Sequence, residues 1–244
     1  MPQDARITRL LAKGATATAL IELSGGTFEM GSTLRKDEQP VREASVGPFA
    51  AALTPVTNIE YAQFLEATAH PPPRFWDDER FSEAAAPAIG VSWFDATAYC
   101  EWLSTVLGRN CRLPTEAERE FAARGGVEVV LYPWGDQPWD SGVHAFGSVG
   151  GDRPHALSTS PPNGFGLFHM ADNVHEWCSD WHAPDAYAHE GGVDPRGPAE
   201  GVRRSSRGGS WRHRIKVSRI AARSSLGPER QYNDYGMRVY ADAL

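Results

Sequence analysis

Apolar residues recur along this chain in helical stripes and strand-length runs, and capping boxes mark where the helices begin. In Thr57-Asn-Ile-Glu60 the threonine oxygen can accept from the free N–H groups of a first turn while the acid three residues on reaches back. Tyr61, Phe64, Leu65 and Thr68 then follow the i, i+3, i+4, i+7 spacing of one helix face, and the prolines at 71–73 predict its end. Ser92-Trp-Phe-Asp95 predicts a second helix, with Tyr99, Trp102, Leu103 and Val106 on its packed face and Gly108 as its stop. Thr115-Glu-Ala-Glu118, directly after Pro114, predicts a third and shorter one that turns Ala117 and Phe121 inward and stops at Gly125-Gly126.

Outside the helices, short strands are predicted over 18–23, 26–31, 42–49, 217–224 and 236–240, separated by turn residues. Residues 132–211 are rich in Gly, Pro, Asp, His and Trp and hold almost no sustained period. Loops of that length are usually tied by a ligand, a metal or aromatic packing, and they usually carry function. There is no internal repeat. The pattern reads as an N-terminal arm over 1–19 followed by one loop-rich α+β domain over 20–244, with about three helices and short mixed strands.

Composition narrows the function classes. With 244 residues, 41% hydrophobic, 10% aromatic and eight tryptophans, the chain can bury a sizeable core. A formal net charge of -7 gives no basic field for a phosphate backbone, so no nucleic-acid partner is expected. No stretch approaches the roughly 18 apolar residues of a membrane span, and the first residues lack a signal-peptide core. Cys100, Cys111 and Cys178 are odd in number and show no CxxC spacing, which argues against a disulfide framework and a structural zinc site. A reducing, cytoplasmic location and no nucleotide cofactor are the expectations.

Read in order, the chain gives Gly25-Gly-Thr-Phe-Glu-Met-Gly-Ser32, Asp37-Glu-Gln-Pro40, Thr54-Pro-Val-Thr-Asn-Ile-Glu-Tyr61 and Arg112-Leu-Pro-Thr-Glu-Ala-Glu118. Tyr132-Pro-Trp-Gly-Asp136, Asn163-Gly-Phe-Gly-Leu167, Asp172-Asn-Val-His-Glu-Trp177 and Arg207-Gly-Gly-Ser-Trp211 follow. Together these motifs resemble the formylglycine-generating-enzyme (sulfatase-modifying factor) family, which uses a variant of the C-type-lectin fold. The resemblance implies that fold here; function must still be argued at the site.

Members of that family bind copper(I) through two cysteines shortly after the Gly-Gly-Ser motif, since soft thiolates suit that ion. Residues 208–223 contain no cysteine. Counted from the shared serine, His213 falls where the first family cysteine would stand; counted back from Ala221-Ala-Arg223, Ile215 falls where the second would. Copper–dithiolate chemistry is thereby excluded on ligand grounds, unless one of the three cysteines elsewhere moves in.

The resemblance also implies one calcium site at His169, Asp172, Val174 and Glu176, where side-chain and backbone oxygens would serve as hard ligands. His169 stands where an asparagine is usual, and imidazole nitrogen suits calcium poorly. For Glu176 the alternative is a buried acid satisfied by backbone N–H groups. A second family calcium site would use the loop over 144–155, which is shortened here, and is expected to be absent.

The catalytic candidates are Ser210 and His213, with Trp211, Arg212, Arg214 and Tyr235 lining the groove for substrate. His144, His155, His169, His175, His182 and His213 are dense enough that some could hold iron or copper, although lone histidines are more often structural. Arg203, Arg204 and Arg207 could attract a carboxylate or phosphate, or could form a solvated edge strand. The tryptophans at 93, 102, 134 and 177 read as core or loop anchors, and Asp136 and Glu116 as loop and cap residues.

The leading expectation is an oxygen-dependent oxidoreductase that has exchanged the copper–thiolate centre for other chemistry and acts on a small molecule or peptide. The rival is a non-catalytic module that binds a peptide, sugar or partner protein. A third reading, a generator that borrows ligands from a partner subunit, ranks last.

Overall fold

In the computed structural model, which describes residues 18–128, 130–136, 153–156, 160–213 and 215–244, all three capping boxes close. They open α1 (Asn58–Thr68), α2 (Trp93–Leu107) and α3 (Glu116–Arg124). In α1 the Glu60 carboxylate accepts from the Thr57 backbone N–H at 2.8 Å while Thr57 accepts from the Glu60 N–H, so two orphan donors of the first turn are satisfied. The helix stops at Ala69, in the left-handed region, before the prolines are reached. α2 and α3 stop at Gly108 and Gly125, both with φ of 63°, a conformation glycine adopts without steric cost.

α1 and α2 pack through their aromatic residues. The Tyr61 and Tyr99 rings stack with centroids 5.8 Å apart, and Phe64 meets Tyr99 edge-on. Val106 does not join this face as anticipated: burial on α2 follows Ala96, Tyr99, Cys100 and Leu103, and the last turn runs past the core, leaving Val106 58% exposed.

Ten strands among the described residues form three sheets. β1 (Leu20–Leu23), β4 (Phe49–Ala52), β10 (Tyr240–Asp242) and β5 (Cys111–Arg112) make an antiparallel sheet in that order. β2 (Gly26–Met30) and β3 (Arg42–Val46) form an antiparallel pair. The third sheet runs β8 (Arg223–Leu226), β7 (Arg204–Arg207), β6 (His175–Trp181), β9 (Tyr235–Gly236), and its β6–β9 pairing is parallel.

Three strand expectations need correction. The run at 42–49 is two strands in different sheets, broken at Gly47-Pro48. The run at 217–224 is a short 3-10 turn over Ile215–Val217 followed by β8. The run at 236–240 divides between β9 and β10, because Arg238 turns into a buried ion pair between them. β6 and β7 escaped notice altogether: β6 is buried on both faces and β7 reads Arg-Ser-Ser-Arg, so neither shows the alternation of a half-exposed strand.

Buried ion pairs tie α3 to the third sheet. The Glu116 carboxylate accepts from Arg223 at 2.7 and 2.9 Å and from Arg207 at 3.3 Å, and Arg207 also bonds Glu120. Burial alone would raise the Glu116 pKa, but the charges of Arg223 and Arg207 win and hold it at about 2. Glu116 is thus the hub of a buried network rather than a simple cap residue. The basic run is neither an anion trap nor a solvated edge: Arg207 is buried in this network, Arg204 lies between the Trp93 and Trp181 rings at 4.0 and 3.5 Å, and Arg203 bonds Ser225. No helix among the described residues is long and apolar enough to cross a membrane.

Candidate functional site

The parallel pairing of β6 and β9 sets His175 opposite Tyr235, and the His175 N–H donates to the Asp234 carbonyl at 2.9 Å. After β7 the chain turns through Gly208 and Gly209 beneath this pair. A β-carbon on Gly209 would stand 2.2 Å from the Ser218 hydroxyl and 2.6 Å from the Ala171 carbonyl, so only glycine lets the backbone through. The turn is closed by Trp211 N–H to Asn173 O at 2.9 Å and His213 N–H to Ser210 O at 3.0 Å.

These two segments bring four polar side chains together. His175 Nε2 lies 2.9 Å from His213 Nδ1. Ser210 Oγ lies 3.0 Å from the same His213 nitrogen and donates to Asp234 Oδ2 at 3.2 Å. His213 Nε2 is 3.5 Å from Asp234 Oδ2. Ser210, His175 and Asp234 are buried, whereas the His213 side chain is 36% exposed and forms the opening to solvent.

Burial holds the His175 pKa down to about 3, helped by the neighbouring His213, and burial also lowers that of His213 against the pull of Asp234. Both rings are therefore neutral near pH 7 and offer nitrogen lone pairs. Ser, His and Asp in contact suggest a hydrolytic nucleophile, but Ser210 is 1% exposed and spends its proton on Asp234 directly, which leaves no accessible hydroxyl for attack. The imidazole and carboxylate ligand atoms of His175, His213 and Asp234 all lie within 4.8 Å of one another, so this group could hold a metal ion.

Of the substrate candidates, Trp211 and Arg212 flank the opening. The Trp211 indole N–H donates to the Asn233 carbonyl at 3.3 Å and Arg212 donates to the Asn233 side chain at 2.7 Å. Tyr235 belongs to the core instead: it is 5% exposed, and its ring lies 5.0 Å from those of both His175 and Trp177. Arg214 and His144 lie outside the described residues, as does most of the loop at 144–155.

The residues anticipated for calcium are organised otherwise. Glu176 is fully buried, and its carboxylate is held by Arg119 at 2.6 Å and by Arg238 at 3.1 Å, not by backbone N–H groups. Two buried cations beside it would repel a dication. His169 turns Nδ1 to Asp172 Oδ1 at 3.0 Å, and Val174 packs with Phe81 and Ile89. Elsewhere, His155 pairs through its backbone with Asn173, and the pKa of His182 is lowered by burial and the charge of Arg223. Trp177 lies in the core, while Trp134 stacks on Tyr132 with centroids 5.0 Å apart.

Cys100, Cys111 and Cys178 are free and buried, burial raises all three thiol pKa values, and none belongs to the His/His/Asp group. Asp234 was not singled out from sequence. It sits in Asn233-Asp-Tyr-Gly236, and only the parallel β6–β9 register places it beside His175.

Comparison with known proteins agrees with this architecture. Residues 9–243 match the family model of the sulfatase-modifying factor enzyme 1-like domain. A formylglycine-generating enzyme of Streptomyces coelicolor is 34% identical over an alignment covering 95% of this chain and 92% of that protein. A mouse protein named inactive C-alpha-formylglycine-generating enzyme 2 is 31% identical, covering 96% of this chain and 89% of that one. The solved structure of PvdO from Pseudomonas aeruginosa superposes with a TM-score of 0.79 at 25% identity, covering 92% and 94% of the two chains. The three helices and short mixed sheets are those of the α+β, C-type-lectin-like fold that the motifs imply.

Proposed function

Because this chain belongs to the sulfatase-modifying factor enzyme 1-like family yet carries no cysteine in residues 208–223, we propose that it is a divergent, oxygen-dependent oxidoreductase without the copper–dithiolate centre. One observation carries the reading. His213, at the position of the family's first cysteine, joins Ser210, Asp234 and His175 in a polar cluster that opens to solvent through His213 itself. Trp211 and Arg212, both anchored on Asn233, flank that opening and suit a small molecule or peptide side chain with a polar end. A reducing compartment such as the cytoplasm suits the three free thiols.

Dioxygen uptake by the purified protein, supplemented in turn with iron and copper and offered thiol-, imidazole- and phenol-bearing substrates, tests this. Uptake with at least one class, lost in His213→Ala, is the expected result; no uptake with any class removes the reading.

A second reading, a binding module for a peptide, sugar or partner protein, is favoured by the same anchoring of Trp211 and Arg212 and by the 46% exposure of Tyr232 nearby. The non-catalytic part of this reading is supported by a relative whose name marks it as inactive. Such a module retains a ligand without consuming it, so product analysis separates the two.

A further inference from the structure

We infer that His175, His213 and Asp234 form the ligand set of a divalent first-row transition-metal site, an inference that rests on the oxidoreductase reading for its purpose but on geometry for its existence. Two neutral imidazoles and one carboxylate on one side of an ion, with the other positions open, is the arrangement of non-heme iron(II) sites.

The separations fit. Ligands each about 2.1 Å from an ion sit roughly 3 Å apart when they occupy neighbouring positions, and His175 Nε2 and His213 Nδ1 are 2.9 Å apart. One ligand atom from each of His175, His213 and Asp234 lies within 4.8 Å of the other two, and Asp234 Oδ2 is 3.5 Å from His213 Nε2. An ion placed between the rings would replace the hydrogen bond that now joins them. Ser210 Oγ, 3.0 Å from His213 Nδ1, would then stand next to the ion and orient a bound water.

Charge points the same way. The buried glutamates Glu38, Glu116, Glu120 and Glu176 are each neutralised by at least one arginine. Asp234 is buried too, and among the described ion pairs its partner is His213 rather than an arginine. A divalent cation would supply Asp234 with the counter-charge that arginines give those four glutamates. Three protein ligands leave positions on the side of His213, which is the side open to solvent.

The site is also consistent with the loss of the thiols. Soft sulfur ligands select copper(I), whereas imidazole and carboxylate suit iron(II), cobalt(II) and zinc(II). A histidine at 213 gains its second nitrogen ligand from β6 and its oxygen ligand from the residue before β9, so the metal is relocated toward the sheet rather than along the loop.

The test is anaerobic titration of the full chain, stripped of metal, with cobalt(II) as a visible-absorption probe and with iron(II) and zinc(II) in competition. One equivalent of cobalt per chain is expected, with affinity reduced at least about 10-fold in His213→Ala and Asp234→Asn and unchanged in His189→Gln, which alters an exposed histidine paired with Asp185. Circular dichroism verifies folding, and His213→Ala, at a half-exposed position, carries the test where a buried variant fails to fold. Absence of cobalt or zinc binding by the folded parent, or binding undiminished in His213→Ala, overturns the site. Bound metal without oxygen uptake keeps the site and removes the oxidative reading, whereas oxygen uptake by a parent that binds no metal removes the site and keeps that reading.

Discussion

Nε2 of His175 and Nδ1 of His213 meet at 2.9 Å across 38 residues of chain, and Ser210 and Asp234 complete a polar cluster around that contact. His175 is fixed by its place in β6; His213 is delivered by a turn whose first two residues are glycines. The two rings therefore respond differently to truncation. His213→Ala removes a partly exposed side chain and is expected to change the unfolding free energy by no more than about 1 kcal/mol. His175→Ala removes a buried ring packed on Tyr235 and is expected to cost ~3 kcal/mol. Denaturant unfolding of the two variants checks the difference.

Glu176 is the sole carboxylate shared by Arg119 and Arg238 among the described ion pairs, and all three side chains are buried. Glu176→Gln leaves two guanidinium groups in the core without their counter-charge. A loss of about 3–5 kcal/mol is expected, measured as a lowered denaturation midpoint, and a loss below ~1 kcal/mol would mean that the arginines find other partners.

The same two arginines bear on calcium. With the Glu176 carboxylate occupied and His169 bonded to Asp172, millimolar calcium is expected to leave the thermal midpoint of the metal-free protein unmoved. A rise that saturates with calcium would show that these residues rearrange into an oxygen cage.

Stability should depend on pH through two acids that share the α3 N-terminus. Burial, reinforced by the charge of Glu116, raises the Asp180 pKa to about 8 from its ordinary 3.8. The folded protein then holds a proton that the unfolded chain releases, so stability is lost as pH rises from about 4 toward 8. Glu116 acts in the opposite sense: its folded pKa of about 2 lies below the ordinary 4.5, so its contribution is present above 4.5 and is lost as pH falls toward 2. A stability maximum on the acid side of neutrality is expected. Asp180→Asn, which keeps an oxygen to accept from the Glu116 N–H, should flatten the decline toward pH 8 and gain more than about 1 kcal/mol there. Unfolding curves across this range check both limbs.

What the sequence made legible was local. The caps at Thr57, Ser92 and Thr115 are written in four-residue windows, and each closes as read. The family resemblance identified the turn that bears Ser210 and His213. What stayed hidden depends on pairing between distant segments: β6 is buried on both faces and shows no alternation, so the strand that carries His175 looked like loop. Asp234 looked like one acid among many until the parallel register set it beside that histidine. Tyr235 was assigned to the groove for the same reason, since a one-residue step along β9 separates the polar side from the core. Arg207 was read as an anion-attracting or edge-strand charge because its acids, Glu116 and Glu120, lie far away in the chain.

The central claim is that nitrogen and oxygen, not sulfur, surround whatever metal this groove holds. X-ray absorption at the metal edge of protein loaded with one equivalent of copper measures it directly, because metal–sulfur bonds of about 2.3 Å scatter distinctly from metal–nitrogen and metal–oxygen bonds of about 2.0–2.1 Å. A first shell of nitrogen and oxygen alone, with imidazole features that weaken in His213→Ala, is the predicted spectrum. A shell containing two sulfurs would contradict the account, since it would require the buried cysteines to have reached the groove.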